Sequence, residues 1–359
     1  QVTKYSKTCT STEQDHTVQA ILSMLQLLQF ELSAPSPTVA SYCSPLLVET
    51  LFWALRRIAP VYLLFDRSDY REVSQSLVAA FGTTLDGGNG VAVVGGILGL
   101  IKSAFEQWVS EEDVLQMCID MLLAFAQRAS LAQAITESPL FAPLMQFLVG
   151  SMHRFPETTH SSIVEALAVL CCHSPSAEHE RGFAELKSLI LGGFGQVAAA
   201  QPQDPRVIGR VLDGLDMLDG MLSAANFRNM DMVFDMLFEV QPIFEQLLST
   251  YASDESIPRK VIQAVESACR YVDISSLPDN EHMIRLSRNL RSILSMYQKT
   301  RQGQVVTSQV NAADVESLGD VTALISAISY LVRNEMGFSP NEASPSMCRQ
   351  ASDDFGETE

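Results

Sequence analysis

The sequence predicts an all-α protein, an α-solenoid of HEAT-like antiparallel helix pairs. Three observations carry that expectation. Alternation of apolar and polar residues with period two is nearly absent, whereas apolar residues recur at helical spacing in every long segment. Helix-start signals stand where those apolar stripes begin. The starts of successive pairs fall near 44, 90, 139 and 178, then 205, 257 and 313, and the early spacing of about 40–50 residues is that of HEAT and armadillo units.

The elements follow in order. Predicted helices cover 14–32, 44–65 and 69–80, then 90–108, 111–130, 139–154, 158–173 and 178–198, and finally 205–225, 228–250, 257–273, 280–299 and 313–335. Val94, Ile97, Leu98, Ile101, Phe105 and Trp108 form one stripe, and Val114, Met117, Cys118, Met121, Leu122 and Phe125 the next. Ile163, Leu167, Leu170 and Cys171 repeat it, as do Val261, Val265, Ala268 and Val272. Ser44-Pro45, Asp204-Pro205 and Pro278-Asp279 read as capped starts, and Ser110-Glu111-Glu112-Asp113 as a capping box. Pro60 is expected to kink or split the second helix, because its ring removes a hydrogen bond and clashes one turn back. Residues 300–312 are polar and read as a loop. The tail, 341–359, reads as disordered and acidic, with Arg349-Gln350-Ala351-Ser352 resembling a basophilic kinase site. Residues 1–340 are taken as one array of six to seven pairs, in which stacking alone buries each unit's apolar face.

The glycine-rich stretch 86–100 invites a nucleotide-site reading, and its residues argue against one. Gly88-Asn89-Gly90 starts a dinucleotide fingerprint, but Val93 stands where the third glycine belongs. Gly90 and Gly95 have Walker spacing, yet Gly96 and Ile97 replace the lysine and hydroxyl residue. The expectation is a helix end, a connection, Asn89 as the next N-cap, and Gly95, Gly96 and Gly99 admitting a neighbouring helix at close range.

The formal net charge is −18, from 24 Lys+Arg against 42 Asp+Glu. That balance disfavours direct nucleic-acid binding and anionic membrane surfaces, both of which need clustered positive charge. The longest apolar run, Val91–Ile101, is about half a bilayer span, so no membrane insertion is expected. Seven cysteines without a C-x-x-C motif fit reduced thiols. No signal peptide is visible, and a start at Gln1 leads to the expectation of a fragment or processed product.

Two clusters were weighed for chemistry. Cys171, Cys172, His173 and His179 crowd together, but adjacent helical cysteines diverge by about 100°, which suits a structural helix end better than zinc. Neither they nor Asp15-His16 nor Ser161-Ser162 form a triad, so no catalytic residue, metal or cofactor is assigned and no enzymatic activity is expected. Asp213, Asp216 and Asp219 lie at i, i+3 and i+6, spanning about 120° of one helix face. Asp231 and Asp235 would extend that stripe if the next helix lies alongside. The stripe is read as a candidate surface for a basic partner, with an ordinary solvated face as the alternative.

Residues 51–82, LFWALRRIAPVYLLFDRSDYREVSQSLVAAFG, resemble the exportins of the importin-β superfamily of nuclear transport receptors. Tyr62-Leu63-Leu64, the acidic turn with Tyr70 and Ala80-Phe81-Gly82 are similar to that pattern. So are Trp108, Ser110, Glu111, the LLAFAQR segment at 122–128, ILSMYQKTRQGQ at 293–304, and 321–335 followed by Phe338. The likeness is spread over 45–340, and the Ala/Gly-rich 192–200 and the acidic tail depart from it. It implies an α-solenoid that binds protein cargo together with GTP-loaded Ran, passes nucleoporins in the pore, and releases cargo in the cytoplasm. It implies shuttling between nucleus and cytoplasm, with Ran contacts mostly in repeats outside this chain. A helical-repeat scaffold with no transport role is the alternative.

Overall fold

A computed structural model describes residues 11–33, 44–62, 73–83, 87–174, 176–195, 204–226, 228–252, 254, 256–272, 280–307 and 322–330. They are all-α, without a β-strand among the described residues. The chain divides into two compact units, residues 1–186 and 187–359. The acidic tail, Pro278-Asp279 and Arg349–Ser352 lie outside the described residues.

The first unit opens with α1 (Ser11–Leu32), α2 (Pro45–Tyr62) and the short α3 (Gln75–Phe81). Helix α2 buries Val48, Phe52, Leu55 and Ala59 at helical spacing. It runs through Pro60 to Tyr62, so of the expected kink or split the proline does not bring the split. Tyr62 closes that end: its hydroxyl donates to the Leu55 carbonyl at 3.0 Å and its ring meets Phe81 at 5.6 Å. Ser74 caps α3, its hydroxyl accepting from the Leu77 amide, while its own N–H donates to Gln14 of α1. Residues 63–72, including the expected start of that helix, lie outside the described residues.

Next come α4 (Gly90–Gln107), α5 (Glu112–Ala126), α6 (Ala129–Thr136), α7 (Phe141–Gly150), a 3₁₀ turn at Met152–Arg154, and α8 (Glu157–Cys171). Helix α4 is long and apolar enough to cross a membrane by composition alone. Its neighbours explain the apolarity, since α1, α3, α5, α6 and α7 all pack on it. The expected helix 111–130 is two helices. The chain turns by 116° between α5 and α6, where Arg128 adopts extended backbone. Leu131, Ala132 and Ile135 then bury a second stripe that the sequence reading left between elements. Helix α5 packs against α2 on one side and α8 on the other.

Helix α9 (Ser176–Phe194) spans the division between the units. The second unit contains α10 (Pro205–Ser223), α11 (Met230–Thr250), α12 (Ser256–Tyr271), α13 (Asn280–Thr307) and α14 (322–330). Alternate helices pack here, α10 on α12 and α11 on α13. Helix α13 corrects the reading of 300–312 as a loop, because it continues to Thr307. Polar side chains do not forbid a helix; Lys, Arg and Gln have good helix propensity.

The glycine-rich stretch behaves differently from the expectation in one respect. A Cβ on Gly95, Gly96 or Gly99 would meet nothing nearer than 3.8 Å, so these positions do not mark a close helix crossing. The constraint lies earlier. Gly87 has φ +77°, and a Cβ on Gly88 or Gly90 would fall 2.3 and 2.4 Å from the carbonyls of Gly82 and Phe81. Only glycine fits that approach.

Candidate interaction surface

Helix α10 begins as its sequence indicates. The Asp204 carboxylate accepts from the Arg206 amide, and Pro205 occupies the first turn, where its missing N–H costs nothing. Val207, Val211, Leu215, Leu218 and Leu222 form the buried stripe. Gly214 sits against α9, where a notional Cβ would lie 3.1 Å from the Phe194 ring and 3.5 Å from the Gly193 backbone, so a side chain there would need the ring to give by a few tenths of an ångström.

The aspartates occupy the flank of that stripe. Asp216 is 34% exposed and pairs with Lys260 of α12 at 2.5 Å. Asp219 accepts a hydrogen bond from Ser267, two turns further along α12. The contacts ascend together, 216 with 260 and 219 with 267, so α10 and α12 run parallel. Parallel alternate helices are what an up-down succession of packed helices produces. Asp213 is half-buried. The α10 row therefore forms a polar seam along a helix–helix contact, where the sequence reading placed a solvated or partner-facing stripe.

Asp231 and Asp235 differ. Both are exposed on α11, one turn apart, and Glu239 continues their line. Glu239 pairs with Lys187 of α9 at 2.6 Å. Helix α11 packs mainly on α13 and α12, so Asp231 and Asp235 continue toward Glu239. Sequence reasoning missed Glu239, although the i, i+4, i+8 spacing was visible. It also missed an exposed apolar set, Leu27 and Phe30 on α1 with Leu46 and Trp53 on α2. The signal was available: Leu46 and Trp53 lie off the buried α2 stripe.

The candidate chemical centres have structural roles. Burial pushes the Cys171 thiol up to about 12, helped by Cys172 and Glu185, so it stays protonated at neutral pH and is a poor nucleophile. Its sulfur lies 3.7 Å from that of Met145. Cys172 turns away and donates to the Ala168 carbonyl. The His173 carbonyl accepts from Thr136, tying the end of α8 to α6. Burial also raises Cys118 and Cys269. Among the described residues no three His, Cys, Asp or Glu side chains form a metal-sized group.

The glycine connection spends its amides internally. The N–H groups of Gly88, Asn89 and Gly90 donate to the carbonyls of Thr83, Ala79 and Gly82 at 2.8, 3.1 and 2.8 Å. A phosphate cradle needs such amides unpaired and convergent. Asn89 precedes α4 without a side-chain cap, which corrects that expectation. Between α7 and α9 lies a cleft of about 20 Å³, lined by Phe141, Met145, Glu178, Arg181 and Glu185. It has room for a water, far below a small-molecule site. No protein-family model matches the chain.

Proposed function

We propose that this chain is a protein-binding helical-repeat segment of a nuclear export receptor, within the importin-β superfamily and resembling exportin-4. In this reading it binds protein cargo with a basic surface together with GTP-loaded Ran, passes nucleoporins, and releases cargo in the cytoplasm. The observation that supports it best is the packing of alternate helices, with α10 and α12 parallel and α11 on α13. That arrangement builds a surface from successive helix faces, suited to extended protein partners. Charge agrees with it: a net −18 attracts basic proteins and speeds their encounter. Asp231 and Asp235 are the exposed carboxylates of the candidate surface, whereas Asp216 and Asp219 serve the seam.

The test is a titration of the protein with a basic cargo in the presence of Ran loaded with GTP or with GDP. GTP-dependent, mutually reinforcing binding of cargo and Ran supports the reading. Cargo binding indifferent to Ran identifies a scaffold of the same architecture. Asp231→Asn with Asp235→Asn should weaken cargo capture and flatten its salt dependence. Unchanged affinity and slope would remove these two residues from the surface.

A further inference from the structure

Helix α13 is basic on the side it turns to water. Its apolar stripe of Leu286, Leu290, Ile293, Leu294 and Tyr297 is buried. Away from that stripe stand Arg285, Arg288, Arg291 and Lys299, all exposed. At 100° per residue the four fall within about 120° of arc, and they run for about 21 Å along the axis. Residues 284–299 hold these four cations and no Asp or Glu, in a chain whose formal charge is −18. Exposed cations elsewhere are balanced within their own helix, as Lys102 is by Glu106 in α4 and Arg270 by Glu266 in α12. Helix α13 instead sets Arg285, Arg288 and Arg291 three residues apart, where like charges repel.

The neighbouring helices do not neutralise this row. Arg285 lies over the Phe238 ring of α11, 4.7 Å from its centre, a contact that positions the guanidinium and leaves its charge in place. Among the described residues no carboxylate pairs with Arg285, Arg288 or Lys299. Ile284, 51% exposed, projects between Arg288 and Arg291 when the helix is viewed down its axis.

We propose that this face of α13 docks an acidic segment of a partner protein, with carboxylates on Arg288, Arg291 and Lys299 and an apolar side chain on Ile284. The charges are complementary, and the guanidinium forks match carboxylate geometry. A nucleic acid fits less well, because its phosphates continue past the row over a surface where the adjoining α11 exposes Asp231, Asp235 and Glu239. The assignment stands whether the chain is a receptor or a scaffold, since a different face and the opposite charge carry it.

Fluorescence anisotropy with the full chain at low salt tests this. The probe is a capped, labelled helical peptide with Glu at intervals of three or four residues, one Leu, and Ala and Gln elsewhere. Arg288→Gln with Lys299→Gln should weaken its binding by about fivefold, and added salt should weaken the native chain more steeply than the variant. Arg288→Lys keeps the charge and should retain most of the affinity. Arg57→Gln, which removes an exposed cation of the first unit, should change nothing. Failure to bind the peptide, or an equal loss from Arg57→Gln, would overturn the assignment. Tighter binding of a single-stranded oligonucleotide of the same charge would overturn it in favour of a nucleic-acid surface.

Discussion

The two units differ by degree in how their helix starts are fixed, since Ser74 caps α3 in the first and α11 in the second begins at Asn229 without a side-chain cap. In the first unit, α4, α5, α6, α7 and α8 all begin without a side-chain cap; Asn89, Glu111, Arg128, Leu140 and Pro156 stand at the starts and none accepts from the first turn. Tight connections and burial position these helices. Helix α8 shows the extent, with nine of its fifteen residues buried. In the second unit, Asp204 accepts from the start of α10 and Asp254 from the start of α12, and the same helices carry the polar seam of Asp216 and Asp219. Close packing fixes register by shape, so it needs no polar guide. Helices with a narrower apolar stripe slide more easily, and directional contacts stop them.

The largest effect should follow from breaking the packed unit. Phe125→Ala removes a fully buried ring from α5, which packs between α2 and α8, and should cost about 3–5 kcal/mol in chemical denaturation. A loss near 1 kcal/mol would show that this core collapses readily and would erase the contrast.

The glycine connection sharpens the same contrast with two opposite signs. Gly88→Ser places a Cβ against a carbonyl and should destabilise by about 1–3 kcal/mol. Gly96→Ala enters open space within α4 and should stabilise by about 1 kcal/mol. Thermal unfolding of both variants tests whether backbone closeness, and not helix propensity, governs this segment.

Caps in the second unit come next. Burial alone would raise the Asp254 pKa, but hydrogen bonds from the Ser256 hydroxyl and from the Ile257 and Ser256 amides outweigh it and hold the carboxyl below its ordinary value. A depressed carboxylate adds stability that is present above the unfolded value and is lost as pH falls through the folded one. The loss therefore falls below about pH 4. Asp254→Ala should cost about 1 kcal/mol at neutral pH and remove this acid-range component from the stability–pH curve. An unaltered acid limb would transfer the effect to other carboxylates.

The smallest effect belongs to the seam. Asp216→Asn should cost less than about 1 kcal/mol, because both partners are a third exposed, and the loss should shrink further in high salt. A double-mutant cycle with Lys260→Met isolates the pair. Coupling above about 2 kcal/mol would mean that the seam, and not the apolar stripe, holds α10 to α12.

Much of this was legible in residues. The stripes on α5, α8, α10 and α12 identify their helices because burial and helical period act together along one segment. Asp204-Pro205 announces α10 for the same local reason. Other features were not. The helix after Arg128 fell between the expected elements, because its stripe of Leu131, Ala132 and Ile135 is too short to show a period by itself. Ser110-Glu111 has capping-box letters, yet α5 starts at Glu112 without a side-chain cap, because Ser110 lies one residue too early. Prolines misled in the same way. Pro60 was expected to kink or split α2, which runs unsplit to Tyr62, while Pro242, which lies inside α11, prompted no expectation. Packing on both sides can hold a helix together across a missing hydrogen bond.

The aspartates mark the boundary between the two kinds of information. Sequence by itself placed Asp213, Asp216 and Asp219 on one face, because the 3.6-residue period is a property of the local backbone. It also excluded the nucleotide fingerprints, because those motifs require particular residues at fixed offsets. What each aspartate faces was decided by tertiary structure. Lys260 and Ser267 come from a helix more than 40 residues away, and only folding brings them to Asp216 and Asp219. Gly88 and Gly90 stand between the two cases: the Gly82 and Phe81 carbonyls that require glycine lie within nine residues, but only the folded backbone turn brings them back. Local period follows from covalent geometry; partnership follows from the chain's path through space, which no short window of residues contains.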